Sequence, residues 1–151
     1  MQSWIKALAD QGIGAEAIDL PKGKAERAVA VFATGLAANP GAAIGGHSYG
    51  GRVASMLAAQ ASSSKLVLLS YPLHRPGHPQ ELRTEHWWKV NCPVLLMSGE
   101  SDPSANIDVL RRETEKHRNF EVITFPKLGH GLLSIREQAA PIIARFLSSR
   151  S

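Results

Sequence analysis

The sequence predicts an α/β fold, a three-layer sandwich with a mostly parallel sheet between helices, in a single domain over residues 1–151. Three observations carry this. Short apolar runs alternate with helical patterns along the chain, which implies right-handed crossovers between parallel strands. The runs are rich in Val, Leu and Ile without polar alternation, as suits strands covered on both faces. Finally, Ile135, Ala139, Ile142, Ile143 and Phe146 form one apolar stripe at helical spacing.

Element by element, Met1 to about Ala9 reads as a helix with Trp4, Ile5 and Leu8 on one face. Ile13 to Leu20 reads as a strand, followed by a Pro-Lys-Gly turn and a helix from about Ala25 to Ala38, which Asn39-Pro40-Gly41 breaks. Ala42 to Gly46 is the next strand, and a helix runs from about Tyr49 to Ala61. Lys65 to Tyr71, Pro93 to Ser98 and Phe120 to Phe125 complete the strands, with a short helix expected from near Ser104. Pro72 to about Glu85, rich in Pro and His, is the one long irregular stretch.

Composition narrows the function classes. Apolar residues make up 44% and charged residues 20%, an ordinary globular balance. The net charge of +4 is spread along the chain, with no basic run longer than Arg111-Arg112, so no nucleic-acid partner is expected. No apolar run approaches the ~18 residues that span a bilayer, so no membrane association is expected. The first residues show no basic leader before an apolar stretch, which points to the cytoplasm. The single cysteine, Cys92, precludes an internal disulfide and, beside Pro93, reads as packing.

The chemistry concentrates at Gly46-His47-Ser48-Tyr49-Gly50, a G-x-S-x-G pattern. An apolar run precedes it and an Ala-rich helical run follows, the strand–turn–helix setting that lifts a serine hydroxyl out of a sheet. Such a serine sits on strained backbone, so the residues two positions to either side must be nearly bare, as Gly46 and Gly50 are. The helix that follows directs free N–H groups toward the Ser48 oxygen. Neither G-x-x-x-x-G-K-[ST] nor G-x-G-x-x-G occurs, which removes the usual phosphate and dinucleotide turns. A purely structural Gly-Ser turn is the competing reading.

A serine hydroxyl needs a base to take its proton, and the base needs an orienting acid. After a serine turn of this kind both partners follow later in the chain, acid before histidine, on loops after strands. Asp102 lies on the loop after Pro93–Ser98 and His130, between two glycines, on the loop after Phe120–Phe125. Both loops leave the strand ends where Ser48 also emerges, the edge at which open parallel sheets place their sites. Glu100 and Asp108 are the competing carboxylates. His47 is expected to shape the pocket or cap its strand, and His117 to lie on the surface. His74, His78 and His86 lack a cysteine pair or helical i, i+4 spacing, so no metal and no cofactor is expected. Trp87-Trp88 reads as a packing anchor for the long loop.

Gly-Gly-His-Ser-Tyr-Gly-Gly-Arg-Val-Ala-Ser from Gly45, with the segment from Tyr71 to His86, resembles small α/β-hydrolases similar to dienelactone hydrolase. More narrowly the resemblance is to the branch of testis-expressed protein thirty and the hydrolase-like domain of non-specific-lethal complex subunit three. It implies an α/β-hydrolase-type sandwich, Ser48, Asp102 and His130 at the catalytic positions, and the Pro72–Glu85 loop over the active edge. It also implies an N-terminal departure. Family members carry an earlier strand and a His-Gly-x-Gly-like loop, located between the strands matching Ile13–Leu20 and Ala42–Gly46. Without them the sheet has a gap, and the oxyanion hole keeps the N–H of Tyr49 but lacks a second donor. Such a loss lowers turnover by about 100- to 1000-fold. A start at Met1 downstream of the true one is the expected explanation.

The reading that follows is a serine hydrolase acting without cofactor on a small-molecule ester or related acyl substrate. The alternatives are a non-catalytic protein-interaction module of the same fold, or an inactive fragment of a longer hydrolase. An exposed gap in the sheet favours self-association.

Overall fold

A computed structural model describes residues 1–150. Its centre is a four-stranded sheet in the order β1 (Ile44–His47), β2 (Leu66–Leu69), β3 (Val94–Gly99) and β4 (Phe120–Phe125). All three pairings are parallel. Among the described residues five α-helices surround it: α1 (Gln2–Ala9), α2 (Ala25–Ala38), α3 (Tyr49–Ala58), α4 (Ile107–Thr114) and α5 (Arg136–Ser148).

Strand alternation divides the core into two layers. Leu66, Leu68, Val94, Leu96 and Val122 face α2, α3 and α4, while Val67, Leu69, Leu95, Met97 and Ile123 face α1 and α5. Successive side chains of a strand point to opposite faces, so a run that is apolar at every position needs cover on both sides. The helices supply that cover. Trp4 of α1 and Ile143 of α5 share one layer, and Phe32 of α2 and Val53 of α3 the other.

Lys65 fixes one end of the sheet to α5. It is only 5% exposed, and its ammonium donates to the carbonyls of Phe146, Leu147 and Ser149 and to the Ser149 hydroxyl. These are carbonyls that a helix leaves without partners at its C-terminus, where a cation is also favoured by the helix dipole.

The expected strand Ile13–Leu20 does not form; these residues carry no regular secondary structure. The physical reason is the lack of a neighbour. A cavity of about 670 Å³ separates them from β1, lined by Trp4, Leu8, Ile13, Gly45, His47 and Leu147 among others. Ile18 and Leu20 pack on the α2–α3 layer instead. β1 is therefore a sheet edge. Ile44 and Ser48 donate to the Lys65 and Leu69 carbonyls of the β2 side. Parallel pairing uses alternate residues, so the N–H and C=O of Gly45 and His47 face the cavity. No helix among the described residues is long and apolar enough to cross a membrane.

Candidate active site

Ser48 is the residue between β1 and α3, with φ 51° and ψ −117°. Non-glycine residues with positive φ are strained, and the other two among the described residues, Ser70 and Lys127, also follow strand ends, those of β2 and β4. The strain thus gathers at the carboxyl edge of the sheet. Ser48 is held there by its N–H, which donates to the Leu69 carbonyl at 2.8 Å, and by its own carbonyl, which accepts from Arg52. The turn requires a bare residue at Gly46, where a Cβ would overlap the Gly50 backbone. The space around a Cβ at Gly50 is open, so of the two glycines expected to be needed only Gly46 is crowded. Tyr49 begins α3, where backbone N–H groups have no intrahelical acceptor. Its phenol donates to the Pro21 carbonyl and ties the 20–23 turn to the serine turn.

Asp102 and His130 reach Ser48 from the loops after β3 and β4. The His130 Nε2 lies 2.8 Å from the Ser48 Oγ, across 82 residues of sequence. Its Nδ1 lies 2.8 Å from the Asp102 Oδ2. The Asp102 side chain is fully buried, and its Oδ1 accepts from the Ser104 N–H at 2.8 Å. A carboxylate so held presents one fixed oxygen to the ring. Serine, imidazole and carboxylate therefore form a continuous hydrogen-bonded line, an arrangement able to draw a proton from the serine and steady the resulting imidazolium.

The competing carboxylates lie elsewhere. Glu100 accepts from the Thr124 hydroxyl and faces Arg111, and Asp108 sits in the first turn of α4. That helix starts at Ile107, capped by the Asn106 side chain, rather than near Ser104. His117 is not a free surface residue; it packs against Trp87, Trp88 and Phe120, and this desolvation holds its pKa below the ordinary value.

Three histidines of the Pro72–Trp88 region have separate partners. His74, 3% exposed, accepts from the Asn106 N–H at Nε2 and donates from Nδ1 to the Arg75 carbonyl. Its own N–H donates to the Ser104 carbonyl, so the long loop is pinned to the loop that carries Asp102. His78 lies against Glu81. His86 meets Ser55 at 2.7 Å, a second Ser–His contact. That pair is structural in its chemistry. Ser55 is fully buried within α3 and gives its proton to the Arg52 carbonyl at 2.7 Å, and no carboxylate bonds the His86 ring among the described residues. Burial lowers the His86 pKa.

The tryptophan pair divides. Trp87 is buried among Tyr71, His117 and Phe120, while Trp88 is 68% exposed. Tyr71 closes the base of the loop by donating to the Arg83 carbonyl at 2.6 Å, and burial pushes its phenol up to about 12. The roles of His74 and of Tyr71 were not legible in the sequence, since their partners are backbone groups that leave no residue-type signal. Cys92 is a free thiol, half-buried against the core with Ser63 nearby.

Comparison with known proteins agrees with this architecture. A family model described as "Alpha/beta hydrolase domain" matches residues 21–140. Among solved structures, the chain is similar to a monoacylglycerol lipase of Paleococcus ferrophilus, with a TM-score of 0.77 and 16% identity over 95% of this chain and 86% of that one. It is similar to an alpha-beta serine hydrolase homologue from Coxiella burnetii, with a TM-score of 0.69 and 15% identity over 97% and 75%. It also resembles the esterase domain of a Rhodothermus marinus protein, with a TM-score of 0.73 and 13% identity over 96% and 78%.

Proposed function

We propose that this chain, which belongs to the alpha/beta hydrolase domain family, is a serine hydrolase acting on esters or related acyl compounds. The observation that carries the proposal is the pair of 2.8 Å contacts on the two nitrogens of His130, one to Ser48 and one to Asp102. In this reading the Ser48 oxygen attacks the acyl carbonyl while His130 Nε2 takes its proton. Asp102 keeps the ring in the Nδ1–H tautomer and stabilises the imidazolium. The N–H of Tyr49, free at the start of α3, donates to the oxyanion. His130 then protonates the leaving group, and water, activated by the same ring, releases the acyl group from Ser48.

The substrate class is proposed from three supports. The family is one of hydrolases, and the similar structures include a lipase and an esterase domain. The Tyr71–His86 segment adds the likeness to the dienelactone-hydrolase branch, which favours a small acyl substrate.

The test is a fluorophosphonate probe, read by intact mass. Addition of one phosphonyl group to the chain, absent in Ser48→Ala and strongly slowed in His130→Ala, is the expected result. A cooperatively folded chain that stays unlabelled at high probe concentration overturns the proposal and leaves the non-catalytic module as the reading.

A further inference from the structure

His47 ends β1, one residue before Ser48, and its side chain turns to the loop that carries His130. Its Nε2 lies 3.2 Å from the His130 backbone carbonyl, and the two rings meet edge to face with centroids 5.4 Å apart. Among the described residues no other donor reaches that carbonyl. The loop is pinned upstream, where the Leu128 carbonyl accepts from Ser101, and again at Leu132, which accepts from Ile135. Between those points lie Gly129, His130 and Gly131, and two glycines give a segment wide backbone freedom. Among the described residues, the one side-chain tether on this stretch of backbone is His47.

We infer that His47 is a positioning residue for the base: by donating its Nε2–H to the His130 carbonyl, it sets the height of the His130 ring between Ser48 and Asp102. The inference rests on the proposed role of His130. A carbonyl only accepts, so the His47 proton must sit on Nε2. Burial lowers the His47 pKa, which disfavours a second positive charge beside His130 when that ring takes a proton. The residue touches neither substrate nor the Ser48 oxygen in this scheme. It acts through the backbone of the base, and a displacement of the base by about 1 Å lowers turnover by about 100-fold.

The experiment compares the wild-type chain with His47→Leu, which removes the donor, and His47→Gln, whose amide nitrogen replaces Nε2. Hydrolysis of p-nitrophenyl acetate is measured together with the imidazole proton resonances in a 15N-histidine-labelled protein. In His47→Leu, kcat falls by about 10- to 100-fold with KM within about twofold, and the His130 Nδ1–H resonance exchange-broadens. In His47→Gln, both recover most of the wild-type behaviour. Should His47→Leu fail to fold by circular dichroism, His47→Met replaces it as the donor-free variant. A donor-free variant with wild-type kcat and an unchanged His130 resonance overturns the inference. A wild-type chain that neither hydrolyses nor labels defeats the enzymatic reading instead. In that case the resonance alone decides whether His47 holds His130 in place.

Discussion

Gly99, at the end of β3, and Leu128, in the loop after β4, meet backbone to backbone. A methyl group at Gly99 would overlap the carbonyl oxygens of Leu128 and Gly129. Two residues on, the Ser101 N–H donates to the same Leu128 carbonyl at 2.9 Å. The loops carrying Asp102 and His130 are thus joined below their side chains, and the distance between the two depends on that junction. We predict that Gly99→Ala forces the loops apart, slowing fluorophosphonate labelling by at least tenfold and costing about 1–3 kcal/mol of stability. Labelling at the wild-type rate would show that the junction does not set the site.

The strain at Ser48 makes a separate prediction. At φ 51° glycine is at ease and serine or alanine is not. Ser48→Gly and Ser48→Ala both abolish labelling, but the glycine variant is expected to be the more stable by roughly 0.5–1 kcal/mol, even though glycine loosens the unfolded chain. Denaturant unfolding of the pair measures the difference. Equal stabilities would mean that the turn is relaxed.

Asp102→Asn removes the charge and keeps the shape. The Ser104 N–H still finds an acceptor, so the fold is expected to survive, while kcat for an ester falls by roughly 1,000- to 10,000-fold. Combining it with Ser48→Ala adds almost nothing further, because residues that act as a unit are not additive. A reduction of less than about tenfold in the single variant would remove Asp102 from the proposed machinery.

Lys65 offers a test away from the site. Lys65→Met deletes the donors that serve the last carbonyls of α5 and is expected to cost about 1–3 kcal/mol. For a domain of this size each kcal/mol lowers Tm by about 2–4 °C. Activity per folded molecule stays unchanged. A variant with unaltered Tm would mean that solvent replaces the lysine at no cost.

Acid should weaken the fold through buried histidines. Burial holds His86 and His47 below the ordinary histidine value, as contact with the tryptophans does His117. The unfolded chain then binds protons before the folded one does. Their contribution is complete above a pH of about 6.5 and is lost as pH falls from there through the lowered folded-state values. Tm measured from pH 8 to pH 5 should decline in the lower half of that range. His86→Gln, which keeps a donor for Ser55 without titrating, should decline less. An identical slope in both would assign the acid sensitivity to other groups.

Much of the architecture was legible because it is written in local pattern. Ala25–Ala38 and Phe120–Phe125 match the expected bounds, one as an amphipathic run ended by Asn39-Pro40-Gly41 and the other as an apolar stretch before Pro126. The Gly-rich turn at Ser48 was legible because few residue types tolerate its backbone. Ile13–Leu20 has the apolar pattern of a strand and forms none, because an apolar run reports burial, whereas a strand also needs a partner on at least one side. Glu100, Asp102 and Asp108 were close rivals in sequence. Only the fold separates them, bringing Asp102 to His130 and turning Glu100 to Thr124 and Arg111. The His47 contact was illegible for another reason: its acceptor is a main-chain atom 83 residues away.

The unmatched flank of β1 stops at the residue before Ser48. A polypeptide aligned along that flank would hydrogen-bond to Gly45 and His47 and bring one of its ends beside the reactive hydroxyl. The open flank and the reactive hydroxyl would then share a boundary one peptide unit wide.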